Sequence, residues 1–449
     1  MSNQPTANLA GPTAQQERII ILDSLRGFAI LGILLMNIPA FALPNPVGHD
    51  PSLLNEWETI NFKVWNFIEW IPNGTQRAIF SMLFGAGILL FIGGKEKRLD
   101  GLLPADYFFR RQLWLIVFSL IDVFVLLWWG DILLDYALLG MIMYSFRKLS
   151  PKALLLGAGI CFLFMLAREN RELYQDKKII YRGEMIAAMD TSTVKLDVIQ
   201  KEQLGAMQDF RAKTSLQGRA KEMEKATRKT QGSYEDLYEY RTDRYIDQLV
   251  KYLFFGLWDV LLFMFIGMAF FKMGILTGQA SVKTYAWMCI TGLGIGLTVS
   301  YFRVQQLIDA EFNWFEYTKN ISFACYELSR TFRSIGILGL LMLLYKSGLF
   351  KWMFALLRPV GQMAFTNYLM QSLICGLFFY GIGFGMYGKL ERYEVYLVVA
   401  AVWVIQIIYS NIWMHYFRFG PLEWTWRSLT YWKKQPFKKE LPGTYSGIV

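Results

Sequence analysis

Ten stretches of this chain are mostly apolar over lengths close to the 20 or so residues that a helix needs to span the hydrocarbon core of a bilayer. They lie near residues 19–43, 76–94, 110–129, 131–146, 152–167, 249–274, 284–302, 324–345, 353–380 and 394–416, the fourth and fifth being the shortest. A water-soluble core could not hide so many apolar runs. They fix the expected fold class as all-α, a polytopic integral membrane protein with about ten transmembrane helices. Only 18% of the residues are charged, against roughly 25% in an ordinary soluble protein. Disorder, a collagen-like repeat and a secreted disulfide scaffold are excluded. Cys161, Cys289, Cys325 and Cys375 sit singly in apolar stretches, with no CxxC and no histidine nearby, so they read as packing residues and no metal site is expected. The first run carries Asp23 and Arg26 near its start and follows a segment with little positive charge, so no cleavable leader is expected either.

The formal charge of +10 follows membrane topology rather than nucleic-acid binding, because the basic residues flank apolar runs instead of sharing one polar face. Lys95, Lys97, Arg98, Arg110 and Arg111 fill the second connection, Arg147, Lys148 and Lys152 the fourth, and Lys346, Lys351 and Arg358 the eighth. These belong inside. The first connection carries Asp50, Glu56, Glu58 and Glu69 against the single Lys63, and the third is only Trp128-Trp129-Gly130-Asp131; these belong outside. An even number of spans then puts both termini in the cytoplasm. The expected organisation is a cytoplasmic tail at 1–18, a first membrane half of five helices at 19–167, an extracytoplasmic charged helical insert at 168–248, a second five-helix half at 249–416 and a cytoplasmic tail at 417–449. In that tail Trp424, Trp426, Tyr431 and Trp432 beside Arg427, Lys433 and Lys434 read as an aromatic and basic interfacial anchor. The insert, with nearly balanced charge and same-face pairs such as Glu222 with Lys225, is either a solvated helical cap or a lid that grips substrate.

Ionisable groups inside spans are costly and are functional candidates by default. Asp23 and Arg26 stand three apart and can pair, and Asn37 follows Arg26 by eleven residues, three turns almost in register. The pair either serves a ligand or only neutralises itself at the inner interface. Asp122 lies toward the outer half of the third span, followed by Asp131 and Asp135, a cluster that can share protons or hold a cation. Asp122 suits general acid or base work, and Asp131 is either part of that site or a turn and helix cap. Glu327 can pair with Arg330 at the start of the eighth span. Asn367 and Gln371, one turn apart in the ninth, can bond a neighbouring helix or a ligand. His49, beside Asp50 in the first outer loop, is a surface residue or a general base, and His415 is interfacial. No GxSxG elbow, Walker loop, HExxH or dinucleotide fingerprint is present. Gly292, Gly294 and Gly296 lie within a span and are expected to allow close helix packing.

The segments Leu22-Asp23-Ser24-Leu25-Arg26-Gly27 through Met36-Asn37, Leu83-Phe84-Gly85-Ala86-Gly87 and Gly130-Asp131-Ile132-Leu133 resemble the YeiB-like bacterial membrane proteins. Gly361-Gln362-Met363-Ala364-Phe365-Thr366-Asn367-Tyr368 and Phe419-Gly420-Pro421-Leu422-Glu423-Trp424-Thr425-Trp426-Arg427 look like that family's signature, a domain of unknown function numbered 418. The likeness covers nearly the whole chain outside 168–230 and implies a multi-pass protein of the bacterial inner membrane. The family is similar to a wider superfamily of transmembrane acyltransferases, including the acyltransferase-3 proteins and the lysosomal heparan glucosaminide acetyltransferase, which move acyl groups from cytoplasmic acyl-CoA to acceptors across a membrane. Acyltransferase-3 proteins carry Arg, ten residues and then His in the first span. Here Arg26 carries over and Asn37 stands at the His position. The glucosaminide acetyltransferase type also has Asn there and an essential His in the following outer loop, where His49 lies in a comparable place. Asp122 stands where YeiB-like chains often carry a His before the Gly-Asp motif.

The resemblance and the polar residues together imply an integral-membrane acyl-group transferase with acyl-CoA as co-substrate and no bound cofactor. Its partners would be membrane lipids and an extracytoplasmic acceptor, a glycan, lipid or small molecule. Asp122, Glu327 and His49 are the expected catalytic residues, and Asp23, Arg26, Asn37, Asp131, Asn367 and Gln371 the expected substrate-binding ones. The rival expectations are a transporter of a small or lipidic molecule that uses the same buried charges, and a non-enzymatic scaffold whose insert docks a partner.

Overall fold

The computed structural model describes residues 19–189 and 195–439; the expected tail at 1–18 and the end of the C-terminal tail lie outside them. The chain folds into α1 (Ile20–Ala42), a short 3-10 turn (Pro51–Leu54), α2 (Ile60–Trp70), α3 (Thr75–Glu96), α4 (Leu103–Phe124), α5 (Leu133–Tyr144) and α6 (Pro151–Ala187). There follow α7 (Val198–Thr214), α8 (Leu216–Gln231), α9 (Tyr234–Phe255), α10 (Leu257–Lys272), α11 (Val282–Asp309) and α12 (Trp314–Asn320). The last are α13 (Tyr326–Ser347), α14 (Lys351–Gln362), α15 (Ala364–Phe379), α16 (Arg392–Tyr416) and α17 (Pro421–Tyr431). Among the described residues there is no strand, only one isolated bridge between Phe417 and Lys438.

Among the described residues, six helical stretches are long and apolar enough to cross a membrane: Ile20–Ala42, Ile60–Glu96, Pro151–Ala187, Val282–Asp309, Tyr326–Ser347 and Arg392–Tyr416. Leu133–Tyr144 and Ala364–Phe379 are apolar but shorter. Every apolar run of the sequence is helical, yet runs and helices do not coincide one to one. The run at 353–380 breaks at Met363 into α14 and α15, and the run at 249–274 starts inside α9 and resumes as α10 after Gly256. In α6 the opposite happens. Ser150 caps its start by accepting from the Ala153 N–H at 3.3 Å, Pro151 sits in its first turn, and 37 residues follow unbroken. At 1.5 Å per residue that is about 55 Å, well beyond a hydrocarbon core of about 30 Å. The expected boundary at 168 therefore falls inside a helix, because the composition turns from apolar to charged there without proline or a cap to end it.

Backbone-to-backbone contact of glycines sets the closest helix pairs. A Cβ on Gly361 of α14 would overlap the Asp23 carbonyl oxygen of α1, and one on Gly27 would overlap that of Leu357. Gly292 of α11 meets the Gly336 backbone of α13 in the same way, whereas Gly294, one step round the helix, faces open space. α1 packs on α3, α14, α15 and α16, with Ile30 and Leu34 fully buried. The charged segment also packs on the bundle. Met207 of α7 joins Ile180 of α6 and Phe315 of α12 in a small apolar cluster, and Arg219 of α8 bonds Asp50 and Ser52 beside the 3-10 turn.

Candidate functional site

The start of α1 supplies the first part of a site. Arg26 donates to Asp23 Oδ1 at 3.1 Å, the i,i+3 pair anticipated from spacing, and Gln362 of α14 donates to Asp23 Oδ2 at 3.1 Å. Two more arginines join them. Arg111 of α4 stacks on Trp426 at 3.9 Å, and the Trp426 indole N–H donates to the Arg111 carbonyl at 2.9 Å. Arg427 follows on α17 and lies over Phe419 at 4.6 Å. What brings α17 here is Glu423. Its carboxyl accepts from the Phe365 and Thr366 backbone N–H groups at 2.8 and 3.0 Å and from the Thr366 hydroxyl at 2.6 Å, capping α15. Burial pushes the Glu423 carboxyl up from its ordinary range, against the pull of those hydrogen bonds.

Asp23, Arg26, Arg111 and Arg427 border a cavity of about 250 Å³ that continues between apolar walls including Leu83, Phe84, Phe108 and Leu115, to Tyr136 and Tyr368. At that end the Tyr368 hydroxyl donates to Asp131 Oδ1 at 3.3 Å and accepts from the Ile132 N–H at 3.3 Å. Asp131 Oδ2 accepts from the Ser119 hydroxyl and from the Leu133 and Leu134 N–H groups at 3.0 and 3.3 Å, which caps α5. Asp122 sits beside Asp131, eleven residues beyond Arg111 and so about 16 Å further along α4. It is completely buried; both its oxygens lack a well-formed hydrogen bond, with Ser372 and Asp131 as polar neighbours. The structure thus sets Asp23 and Arg26 at one end of a cavity and Asp131 with Asp122 behind the other.

The remaining anticipated residues lie elsewhere. Glu327 accepts from Arg330 at 2.5 Å, Arg330 also bonds Asp259 at 2.5 Å, and Asp259 pairs with Arg77. These four charges form a chain joining α13, α10 and α3, with Glu327, Arg330 and Asp259 buried and Arg77 partly exposed, separate from the Asp122 pair. The Asn367 amide bonds Val360 O and Ser410 Oγ at 3.1 Å, and Gln371 bonds Ile30 O at 3.1 Å and Gln406 at 3.0 Å, so both tie α15 to its neighbours. Asn37 is half-buried on α1 and lines neither this cavity nor a second one of about 550 Å³. His49 borders that second cavity, with Nδ1 3.6 Å from Glu69, whose other oxygen binds Arg303 at 2.9 Å.

Sequence reasoning missed Arg111, Glu423, Trp426 and Arg427 as site residues. Trp426, expected in an interfacial anchor, is instead 7% exposed on the cavity wall, whereas Trp432 is 69% exposed. The Gly-Pro-Leu-Glu-Trp motif was the available signal, since Pro421 starts a helix and Glu423 is an acid in its first turn.

These features define a polytopic α-helical membrane protein with an arginine-bordered internal cavity. The chain belongs to the YeiB-like family of proteins of unknown function. A family model described as "Protein of unknown function (DUF418)" matches residues 270–433. The chain is 30% identical over 448 residues to the uncharacterized protein YxaH of Bacillus subtilis, covering 96% of this chain and 98% of the relative. It is 29% identical over 419 residues to the uncharacterized protein YeiB of Escherichia coli, covering 92% and 96%. No solved structure matches it.

Proposed function

We propose that this protein is an integral-membrane acyl-group transferase that takes an acyl group from acyl-CoA and passes it to an acceptor on the opposite face of the membrane, a glycan, lipid or small molecule. The observation that carries this reading is the single cavity with Asp23, Arg26, Arg111 and Arg427 at one end and Tyr368, hydrogen-bonded to Asp131, at the other. Arginine suits the donor's phosphates because its planar fork binds them bidentately. The apolar walls suit an acyl group, and the Asp122–Asp131 pair lies beyond them. In the transfer the acceptor's oxygen or nitrogen forms the new bond to the acyl carbon as the thioester C–S bond breaks. The acceptor's proton passes by way of the Tyr368 hydroxyl and Asp131, which stand between the cavity and Asp122, to that carboxylate pair, and the CoA sulfur leaves as thiolate.

The reading puts the arginine end and both termini in the cytoplasm, counts ten spans in a bacterial inner membrane with lipids around them, and leaves α7 and α8 on the outer face. It also joins the family to the transmembrane acyltransferase superfamily. Basic residues in the short connections at 95–111 and 346–358 support the orientation. The test is acyl transfer by the purified protein from radiolabelled acyl-CoA to membrane extract. Loss of transfer by more than about a hundredfold in an Arg26→Ala, Asp122→Asn double variant is expected; transfer unchanged in that variant rejects the residue assignment.

One observation favours a second reading. The charge chain Arg77–Asp259–Arg330–Glu327 has no part in the transfer, and such chains serve proton-coupled transport. Proteoliposomes that move a solute in proportion to a proton gradient without consuming acyl-CoA would favour an exporter.

A further inference from the structure

The charged part of α6 begins at Arg168 and that of α9 ends before Leu249, so the two helices project from the apolar bundle on the same side, one leaving it and one returning. α7 packs on the side of α6 that holds Ile180, Gly183 and Ile186, with Met207 against Gly183. At about 100° per residue the opposite side of α6 carries Tyr174, Tyr181 and Met185, which are 67, 66 and 50% exposed, and beside them the exposed Arg171, Lys178 and Arg182. None of these three cations has an ion-pair partner among the described residues, and the acids nearby are engaged elsewhere, Glu172 by Arg168 and Glu184 by Arg211 and Lys319. On α9, Glu235, Glu239, Asp243 and Asp247 stand four residues apart and are all exposed, next to the exposed Tyr234 and Tyr238. The cations closest to them are already occupied, Lys229 by Asp236 and Glu239, and Arg244 over the Trp129 ring, so this face keeps its negative charge.

We infer that copies of this chain associate side by side in the membrane, the basic face of α6 in one copy resting on the acidic face of α9 in the next. Two copies in one bilayer can only slide and turn about its normal, so charges that meet must stand at equal heights. At 1.5 Å per residue, Arg171, Lys178 and Arg182 lie about 5, 15 and 21 Å along α6 from Arg168, and Asp247, Glu239 and Glu235 lie about 3, 15 and 21 Å along α9 from Leu249. The same count sets Tyr181 and Met185 level with Tyr238 and Tyr234, so the contact covers apolar surface that would otherwise face water. Opposite charge at matching positions gives such a contact its register and its selectivity. A lipid surface fits the basic face less well. Arg182 and Met185 stand about 21 and 25 Å beyond Arg168, past a headgroup layer of about 6 Å. The inference gives the insert a definite part and does not rest on acyl transfer.

The test is the mass of the detergent-purified full-length protein by light scattering over a concentration series. The wild type should self-associate, and more weakly as salt is raised, because exposed ion pairs are screened. An acid-reversed α6 variant (Arg171→Glu, Lys178→Glu, Arg182→Glu) and a base-reversed α9 variant (Glu235→Lys, Asp243→Lys, Asp247→Lys) should each self-associate at least about tenfold more weakly, since each sets like charges opposite one another. All six side chains are exposed, so both variants should melt with the wild type. Mixed in equal amounts, the two variants should associate with each other as the wild type does with itself, because every α6 then finds an α9 of opposite charge. The inference is overturned if the wild type is monomeric at every concentration, if either variant alone self-associates like the wild type, or if the mixture stays monomeric. Monomers whose basic face instead binds phosphatidylglycerol vesicles would also overturn it.

Discussion

Glu423 accepts hydrogen bonds from the Phe365 and Thr366 N–H groups and the Thr366 hydroxyl, so one side chain both caps α15 and fastens α17 beneath it. Burial raises its pKa above the ordinary 4.5. A carboxyl whose folded pKa is raised contributes stability that is complete below the unfolded value and is lost as pH rises through the folded one. The melting temperature in detergent should therefore fall as pH rises above the ordinary carboxylate range, and Glu423→Gln should remove that part of the slope. Parallel curves for the two proteins would contradict the placement of Glu423. Glu423→Ala, which strands three donors, should cost on the order of 2 kcal/mol. At this scale the sequence was readable where partners are close in the chain. Asp23 and Arg26 are three apart, and Asp131 caps a helix two residues on. Arg111, Trp426 and Arg427 were not, because their meeting depends on α17 returning to α4, which no local spacing encodes. The same holds for Arg77 with Asp259 and for Glu69 with Arg303.

Helix pairing rests on a few contacts that admit no side chain. Gly361→Leu would push a side chain into the α1 backbone and should destabilise the protein by about 3 kcal/mol or more, through overpacking that neither helix can relieve. Gly294→Ala, in open space on α11, should be neutral or stabilise by up to about 1 kcal/mol, because alanine is the better helix former. Thermal unfolding of the two variants separates the cases, and equal shifts would contradict the close α1–α14 approach. Apolar runs announced the helices that are apolar throughout, because that is a property of composition, but α2, α7, α8, α12 and α17 lie outside every run. Breaks were harder to see. Nothing in the hydropathy at Met363 separates α14 from α15, and nothing at 168 keeps α6 from running on to Ala187. The division of Gly292, Gly294 and Gly296 into packed and open positions depends on which face of α11 meets α13, and only the tertiary fold decides that.

At the scale of the whole molecule, two of the cavities among the described residues differ in chemistry and occupy different parts of one bundle. The first joins arginines from α1, α4 and α17 to apolar walls that reach Tyr368, behind which lie Asp131 and Asp122. The second draws its walls from the loop after α1, α2, α11 and the insert, and contains His49. Residues placed together by the sequence reading are thus divided: Asp23 and Arg26 line the first, Asp131 and Asp122 lie behind its Tyr368 end, His49 borders the second, and Glu327 belongs to the charge chain between α3, α10 and α13. The acyl-transfer reading stands or falls with the first cavity. The most direct measurement is calorimetric titration of acyl-CoA into the detergent-purified protein, wild type beside Arg111→Ala. Saturable binding to the wild type, weakened at least about tenfold in the variant through loss of a charge-assisted contact, is the expected result. A well-folded wild-type protein that binds no acyl-CoA, or an Arg111→Ala variant that binds it equally well, would contradict the assignment.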